Sequence, residues 1–181
     1  MIQLNKIKYL IDGNQRFMKN RTYPKKYSVN DKLDLSKSQD PFVAIVTCSD
    51  SRVSPETIFD LDLGEAFVIR NAGNIAEIET LSSISYAVDI LKIDLIVVLG
   101  HSDCGAIQGA VSQQNFPEPL NRVINTIRGR INGEKDNYQA TLKNLNVTKQ
   151  SVTSLAQYLS KKVNVVGAYY DIATGAVNFN I

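Results

Sequence analysis

The stretch FVAIVTCSDSR, residues 42–52, decides the fold class. Its first six residues are apolar or β-branched without interruption, which is typical of a strand buried on both faces. Directly after it come Cys48, Asp50 and Arg52, whose side chains are reactive or charged. A buried strand with such an ending is typical of an α/β protein, because ligands bind at the carboxyl ends of parallel strands.

Three further apolar runs are predicted strands, at residues 66–69, 95–99 and 163–168. Helical periodicity, with apolar residues three and four apart, precedes and separates these runs. The predicted helices span residues 2–19, 80–91, 104–111, 120–131 and 139–159, the last broken near residues 144–147. This alternation predicts an α/β fold in which helices flank a central, mostly parallel sheet.

Both ends of the chain add to this pattern. Residues 169–179 predict a hairpin that turns around Thr174 and Gly175 and adds an antiparallel edge strand. The helix of residues 2–19 is amphipathic, and its apolar stripe must be buried. The polar residues 20–40 that follow are predicted to form an extended connector. We therefore expect one domain over residues 1–181, in which residues 1–38 are an N-terminal helical arm and connector.

The composition excludes several classes of protein. Of the 181 residues, 44% are hydrophobic and 21% are charged, and the net charge is +2. This balance argues against a nucleic-acid partner, because such proteins carry clustered basic charge. No apolar run reaches the roughly 20 residues of a membrane span. The N-terminal residues lack the apolar centre of a secretory signal, and two cysteines are too few for a disulfide framework. We expect a cytoplasmic protein with reduced thiols and no membrane partner.

A second strand end carries the same kind of chemistry. The run at residues 95–99 leads into GHSDCG, so that His101, the only histidine, and Cys104 both follow a predicted buried strand. Together with Cys48 they are the residue types that zinc prefers in a tetrahedral shell. His101 and Cys104 are three residues apart and share a face if a helix begins there. Cys48 comes from a neighbouring strand end.

Three protein ligands leave a fourth position, as catalytic zinc sites do. Water or a carboxylate must fill it, and Asp50 is the nearest candidate. A disulfide between Cys48 and Cys104 is the alternative, and a reducing compartment disfavours it. Gly100 and Gly105 have the glycine spacing of a phosphate-binding loop, but Ala106 and Ile107 follow them where that loop needs Lys and Ser/Thr. Arg52 follows Cys48 by four residues, which is too close for the Cys-x5-Arg spacing of a cysteine phosphatase.

The pattern Cys-x-Asp-x-Arg at residues 48–52, followed by His-x-x-Cys at residues 101–104, resembles the β-class carbonic anhydrases. The similarity is continuous over roughly residues 39–112 and weaker towards both ends. It includes blocks at residues 64–74, 83–88, 100–106 and 170–175.

The resemblance implies a zinc enzyme that hydrates carbon dioxide reversibly to bicarbonate and a proton, by attack of a zinc-bound hydroxide. Cys48, His101 and Cys104 would hold the metal. Asp50 and Arg52 would be a catalytic pair with two states. Held by Arg52, Asp50 orients the hydroxide; released, it becomes the fourth metal ligand and closes the site. Because the chain has one histidine, a histidine proton shuttle is excluded, and buffer, water or a tyrosine must accept the proton.

The resemblance also implies a substrate pocket. Gln39, Phe67, Ala72 and Tyr86 match its positions, with the Gln39 amide in contact with substrate and two aromatic side chains beside it. Core packing is an equally good interpretation for Phe67 and Tyr86. Members with an allosteric bicarbonate pocket carry tryptophan three residues before the first cysteine ligand. This chain has Ile45 there, which favours the open, plant-type subclass.

In this family the active site lies at a dimer interface and the N-terminal helix wraps the partner. The resemblance therefore implies a homodimer or homotetramer, with the apolar stripe of residues 2–19 packed on the partner. Two other functions stay open. One is hydrolysis of a carbon dioxide analogue, carbonyl sulfide or carbon disulfide, on the same scaffold. The other is a zinc-binding module without turnover, which the three-ligand count disfavours because a structural site normally takes four protein ligands.

Overall fold

The computed structural model describes residues 2–159 and 161–179, with side chains from residue 5 onward. Within these residues, five strands form one sheet. The strands are β1 (Val43–Cys48), β2 (Ala66–Asn71), β3 (Leu95–His101), β4 (Asn164–Tyr170) and β5 (Val177–Asn178). The helices are α1 (Ile2–Met18), α2 (Val29–Leu35), α3 (Pro55–Ile58), α4 (Ile78–Asp89), α5 (Gly105–Val111), α6 (Leu120–Ile131) and α7 (Asn137–Tyr158).

The sheet has the strand order β2-β1-β3-β4-β5. The first four strands pair in parallel, and β5 pairs antiparallel with β4. Every residue of β1 and of β3 is buried, as the uninterrupted apolar runs predict. The predicted α/β fold, with a mostly parallel sheet and an antiparallel edge strand, is confirmed.

Helices cover both faces of the sheet. Alternate residues of β1 face opposite sides, because side chains alternate along a strand. Val43 and Ile45 pack with Leu10 of α1 on one face, whereas Ala44 and Val46 pack with α4 and α7 on the other. This double cover explains why the central strands carry no polar side chain until their carboxyl ends.

The structure corrects two predictions about the helices. The connector of residues 20–40 contains α2, which no buried residue supports and which begins at a capping box formed by Ser28 and Asp31. The expected break near residues 144–147 is wrong, and α7 runs unbroken. Asn144, which suggested the break, is buried and donates a hydrogen bond to the carbonyl oxygen of Gly73, so that it serves a contact between elements.

The apolar stripe of α1 is buried against its own chain. Leu10 is fully buried, and Ile7 and Phe17 pack beside it. Asn14 donates hydrogen bonds to the carbonyl oxygens of Ile58 and Gly175, which joins α1 to α3 and to the C-terminal hairpin. Part of the stripe is therefore buried within one copy, whereas Met18 keeps 40% of its surface exposed. Packing of the exposed part on a partner stays a prediction.

Among the helices described here, none combines the length and the apolar character that crossing a membrane requires.

One buried carboxylate, Asp60, anchors the connector that follows α1. Its side chain has no exposed surface and accepts a hydrogen bond from Arg16 Nε at 2.5 Å. Lys25 Nζ lies 3.1 Å from its other oxygen, and the backbone N–H of Tyr23 also donates to it. Burial acts to raise the pKa of Asp60, but these donors outweigh it and hold the pKa below its ordinary value.

We expect Asp60→Asn to lower the free energy of unfolding by about 3–5 kcal/mol near neutral pH, because it leaves the Arg16 cation without its partner. Since the pKa is depressed, the stabilisation is complete above the ordinary carboxyl pKa of about 3.9 and is lost as the pH falls through the folded-state value. Urea unfolding at a series of pH values measures both effects.

Asp34→Asn is the matched control, because it removes an exposed pair with Lys37. It should change stability by less than about 1 kcal/mol. Equal losses in the two variants near neutral pH would contradict the role given to Asp60.

Candidate metal centre

The site is built at the carboxyl ends of two neighbouring strands. Thr47 of β1 lies opposite Leu99 of β3 in the parallel register. Cys48 and His101 are the last residues of their strands, so both emerge at the same edge of the sheet. Cys104 follows His101 after a short turn and is the N-cap residue of α5. The three predicted ligands therefore come from three places in the fold.

The turn between His101 and Cys104 is not helical, which corrects the expectation that the two share a helix face. The helix α5 begins only at Gly105. The turn is instead fixed to β4 and the hairpin: Ser102 N–H donates to the carbonyl oxygen of Tyr170 at 2.9 Å, and Ser102 Oγ accepts from Ile172 N–H at 3.0 Å. Tertiary contacts set the position of Cys104 relative to His101.

The three candidate ligands converge on one point. Their ligand atoms all lie within 4.8 Å of one another. The two sulfur atoms of Cys48 and Cys104 are 3.9 Å apart, and both cysteines are free. A tetrahedral zinc with Zn–S bonds of about 2.3 Å separates two sulfur ligands by about 3.8 Å. The observed separation therefore fits a shared metal and is far longer than a disulfide.

The hydrogen bonding of His101 leaves one ring nitrogen available for a metal. Its Nδ1 lies 2.8 Å from the carbonyl oxygen of Ser102. A carbonyl oxygen only accepts, so Nδ1 donates, and the lone pair of the neutral ring is on Nε2. That Nε2 atom is buried and has no hydrogen-bond partner among the described residues. A buried nitrogen with a free lone pair beside two sulfur atoms is what a zinc ligand requires.

The two thiols differ in their ionisation. The two sulfur atoms are close enough to share a hydrogen bond, in which either can be the donor. This bond with Cys104 is the main cause that lowers the pKa of Cys48 despite burial, and the His101 side chain adds to the effect. The same bond and burial raise the pKa of Cys104. Cys48 is therefore poised as a thiolate, the form that binds metals.

Asp50 and Arg52 form a close ion pair beside these ligands. Arg52 Nε donates to Asp50 Oδ1 at 2.9 Å, and Arg52 Nη2 donates to Oδ2 at 2.7 Å. These side-chain hydrogen bonds lower the pKa of Asp50 to about 2. Arg52 Nη2 also contacts the carbonyl oxygen of Asp103 at 3.2 Å. Both carboxylate oxygens are thus engaged by Arg52, and Asp50 is not part of the three-ligand cluster.

Sequence reasoning overlooked one cation that supports this edge of the sheet. Arg70, near the end of β2, donates to the backbone carbonyl oxygens of Cys48 and Asp50 at 3.2 and 2.8 Å. It therefore fixes the backbone that carries both side chains. Arg70 lies in the block of residues 64–74 that carries part of the resemblance, which is the signal that pointed towards it.

Comparison with known proteins identifies the family. The sequence model of the carbonic anhydrase family matches residues 43–177 of this chain. The chain belongs to the β-class carbonic anhydrases. Members of this class are zinc enzymes that hydrate carbon dioxide, and Cys48, His101 and Cys104 could hold the metal ion.

Individual carbonic anhydrases show how far the similarity extends. One from Mycolicibacterium smegmatis is 34% identical over 184 residues, which cover 94% of this chain and 89% of that relative. Carbonic anhydrase 2 of Mycobacterium tuberculosis is 44% identical over 108 residues, which cover 60% of this chain and 52% of that relative. The Coccomyxa β-carbonic anhydrase, solved in complex with acetazolamide, superposes with a TM-score of 0.68 at 28% identity and covers 82% of this chain and 76% of its own.

The predicted pocket residues divide into two groups. Ala72 lies at the same end of the sheet as Cys48, because it follows Asn71, which is opposite Cys48 in the register. Gln39 is exposed and precedes β1, so the length of that strand, about 17 Å, separates it from Cys48. Phe67 lies opposite Ala44, near the start of β1.

Tyr86 lies beside Phe67, since their ring centroids are 6.0 Å apart. The Tyr86 residue is 44% exposed. Within one copy, Gln39, Phe67 and Tyr86 are therefore not brought to the metal centre.

We expect Cys104→Ser to lose stoichiometric zinc, because a hydroxyl is a poor replacement for a thiolate ligand. Metal analysis of the purified protein after gel filtration measures the loss. Ser49→Ala is the control: Ser49 is exposed at the same strand end, and the variant should keep its zinc. A Cys104→Ser protein with a full complement of tightly bound zinc would contradict the ligand assignment.

Proposed function

We propose that this chain hydrates carbon dioxide at a zinc held by Cys48, His101 and Cys104, with Asp50 and Arg52 as the catalytic pair. The observation that carries the proposal is the arrangement of the two groups. Three ligand atoms lie within 4.8 Å of one another, and beside them Arg52 engages the only carboxylate of the Cys-x-Asp-x-Arg stretch. A three-ligand site with a free position is typical of catalytic zinc.

Zinc bound at such a site supplies a hydroxide nucleophile near neutral pH, since it lowers the pKa of its water ligand towards 7. The protein contributes orientation. Because its pKa is about 2, Asp50 is ionised and only accepts hydrogen bonds. It therefore accepts a hydrogen bond from the nucleophile and directs a lone pair towards the carbon of the substrate. Arg52 keeps Asp50 in this position through two parallel hydrogen bonds.

We further propose that the site is of the open, plant-like type at neutral pH. For Asp50 to become a metal ligand it must leave Arg52, which costs two charge-assisted hydrogen bonds. Arg52 is itself held by the carbonyl oxygen of Asp103, so the pair is supported from a second element. Ile45, at the position of the tryptophan of the allosteric subclass, is fully buried in the core.

The substrate pocket is completed by a second copy of the chain. Gln39, Phe67 and Tyr86 lie at the opposite end of β1 from Cys48, yet they match positions of the substrate pocket. In a homodimer or a homotetramer, the surface formed by Gln39, Phe67 and Tyr86 can face the metal centre of the partner. Such an assembly accounts both for the distance of these residues from Cys48 and for their match to the pocket. Leu35 and Leu63 are exposed and line a surface cavity together with Ser38 and Asp40, the neighbours of Gln39 in the chain, so they suit burial in such an interface.

We place the protein in the cytoplasm. The two sulfur atoms are 3.9 Å apart, close enough for a small movement to join them in a disulfide. An oxidising compartment would favour that bond over metal binding.

Asp50→Asn and Arg52→Lys test the catalytic pair. We expect each to lower kcat/KM for carbon dioxide hydration at least about a hundredfold. In Asp50→Asn the nucleophile loses the carboxylate that orients it, and in Arg52→Lys that carboxylate loses the guanidinium group that holds it. Stopped-flow hydration assays on protein of known zinc content measure the effect, with Ser49→Ala as the control.

Unchanged rates in both variants would contradict the role of the pair. A wild-type protein that binds zinc, leaves carbon dioxide unchanged and hydrolyses carbonyl sulfide or carbon disulfide would overturn the choice of substrate.

Mixing two inactive variants tests the shared pocket. Gln39→Ala keeps an intact metal centre, whereas Cys104→Ser keeps an intact pocket surface. After the subunits are unfolded together and refolded, hybrid dimers contain one complete site, so activity should recover to about a quarter of the wild-type value by random pairing. Gln39→Ala mixed with Phe67→Ala is the control. This mixture should recover no activity, because both changes lie on the pocket surface and every site in a hybrid dimer then contains one of them. No recovery in the first mixture would contradict a pocket shared between copies.

A further inference from the structure

Ser102 lies in the turn that joins the candidate ligands His101 and Cys104, directly after β3. The parallel register of β3 and β4 pairs His101 with Tyr170, so Ser102 is the first residue beyond the paired strands. Its N–H donates to the carbonyl oxygen of Tyr170 at 2.9 Å. The backbone of Ser102 therefore continues the ladder by one hydrogen bond.

The next hydrogen bond of this ladder has a side-chain acceptor. In a parallel pair, a residue that donates to one residue of the neighbouring strand ordinarily accepts, at its own carbonyl oxygen, from the N–H two residues further on. Ile172 follows Tyr170 by two residues, but its N–H donates to Ser102 Oγ at 3.0 Å. The hydroxyl oxygen takes the place of the backbone carbonyl oxygen, which is left to another donor.

The carbonyl oxygen of Ser102 contacts the candidate ligand beside it. It lies 2.8 Å from His101 Nδ1, which donates to it. This bond leaves the free lone pair of the neutral ring on Nε2, which is buried. Hydrogen bonds of this kind fix the orientation of metal-binding histidine rings. The hydroxyl of Ser102 therefore affects, through the carbonyl oxygen of the same residue, how His101 is held.

The C-terminal hairpin that supplies this N–H is held by the helix α1. Asn14 of α1 is buried. It donates to the carbonyl oxygen of Gly175 at 2.8 Å and accepts from the N–H of Val177 at 2.9 Å. The same side chain donates to the carbonyl oxygen of Ile58 in α3 at 3.2 Å. The donor that faces Ser102 therefore belongs to a segment that two helices hold in place.

We propose that Ser102 is a positioning residue for the metal centre: its hydroxyl accepts the hairpin N–H, so that its carbonyl oxygen stays available to hold the His101 ring. This inference rests on the metal site of the proposed function. It makes the C-terminal hairpin, and the helix α1 that holds it, part of the support of the site. Loss of such a partner of a metal-binding histidine typically lowers metal affinity roughly 10- to 100-fold.

Ser102→Ala tests the proposal, with Ser151→Ala as the matched control. Ser151 is also half-buried, but its hydroxyl donates to the carbonyl oxygen of Val147 within α7. In Ser102→Ala, the Ile172 N–H must compete with His101 for one carbonyl oxygen. We expect zinc binding to weaken about tenfold in a chelator competition. Zinc binding should stay unchanged in Ser151→Ala and recover in Ser102→Thr, which keeps the hydroxyl.

A spectroscopic readout separates positioning from stability. Because His101 is the only histidine, the imidazole NMR signals of the untagged, zinc-loaded protein all come from this ring. We expect its Nδ1–H proton to exchange slowly with water in the wild type, in Ser151→Ala and in Ser102→Thr. In Ser102→Ala, this proton should exchange faster and its resonance should move upfield, because its acceptor is shared.

If Ser102→Ala does not fold, Asp171→Ala is the second variant. Asp171 accepts hydrogen bonds from the N–H and the hydroxyl of Thr174 in the hairpin turn, at 2.8 and 2.9 Å. Its removal loosens the turn, so that the Ile172 N–H is no longer fixed at the Ser102 hydroxyl. We expect the same His101 proton to exchange faster in this variant.

An unchanged Nδ1–H signal in Ser102→Ala, or in Asp171→Ala where that variant replaces it, overturns the proposal, whatever the hydration rates are. Equal losses of zinc affinity in Ser102→Ala and Ser151→Ala also overturn it. Failure of the proposed function is distinguishable, because it appears as a wild-type protein that does not bind zinc or does not hydrate carbon dioxide.

Discussion

The structure depends on one constraint: β1 and β3 lie side by side, parallel and buried along their whole length. Neither strand can carry a polar side chain until it ends, so Cys48 and His101 appear together at one edge of the sheet. Moving either strand by one residue would turn its side chains to the opposite face. The core and the metal centre are therefore specified by the same pairing.

The metal centre divides into a buried part and an exposed part. Cys48, His101 and Cys104 are buried, and charge there requires donors close by, because burial in a low dielectric penalises it. Arg52, by contrast, is half exposed and engages Asp50 at the mouth of the site. The candidate ligands are therefore buried, and the pair proposed to exchange partners lies where solvent has access.

The same sheet also explains why the proposed pocket needs a second copy of the chain. Its two ends carry different residues. The candidate metal ligands lie at the carboxyl end of β1, and Gln39, Phe67 and Tyr86 lie towards its amino end. A strand of this length keeps the two groups apart within one chain. Asn144 and Thr148 of α7 donate to the carbonyl oxygens of Gly73 and Asn74, which follow β2 at the same end of the sheet as the metal ligands.

The sequence by itself determined the central strands and the ligand set, because both depend on local information: uninterrupted apolar runs, and rare residue types at strand ends. It did not determine which surface the stripe of α1 covers, the short helix α2, or the continuity of α7 through Asn144. Each of these depends on partners far away in the chain, such as the Gly73 carbonyl oxygen that accepts from Asn144. The approach of Cys104 to Cys48 and the donors around them were likewise decided by tertiary structure, since spacing along a chain states which residues can meet, and packing decides which do.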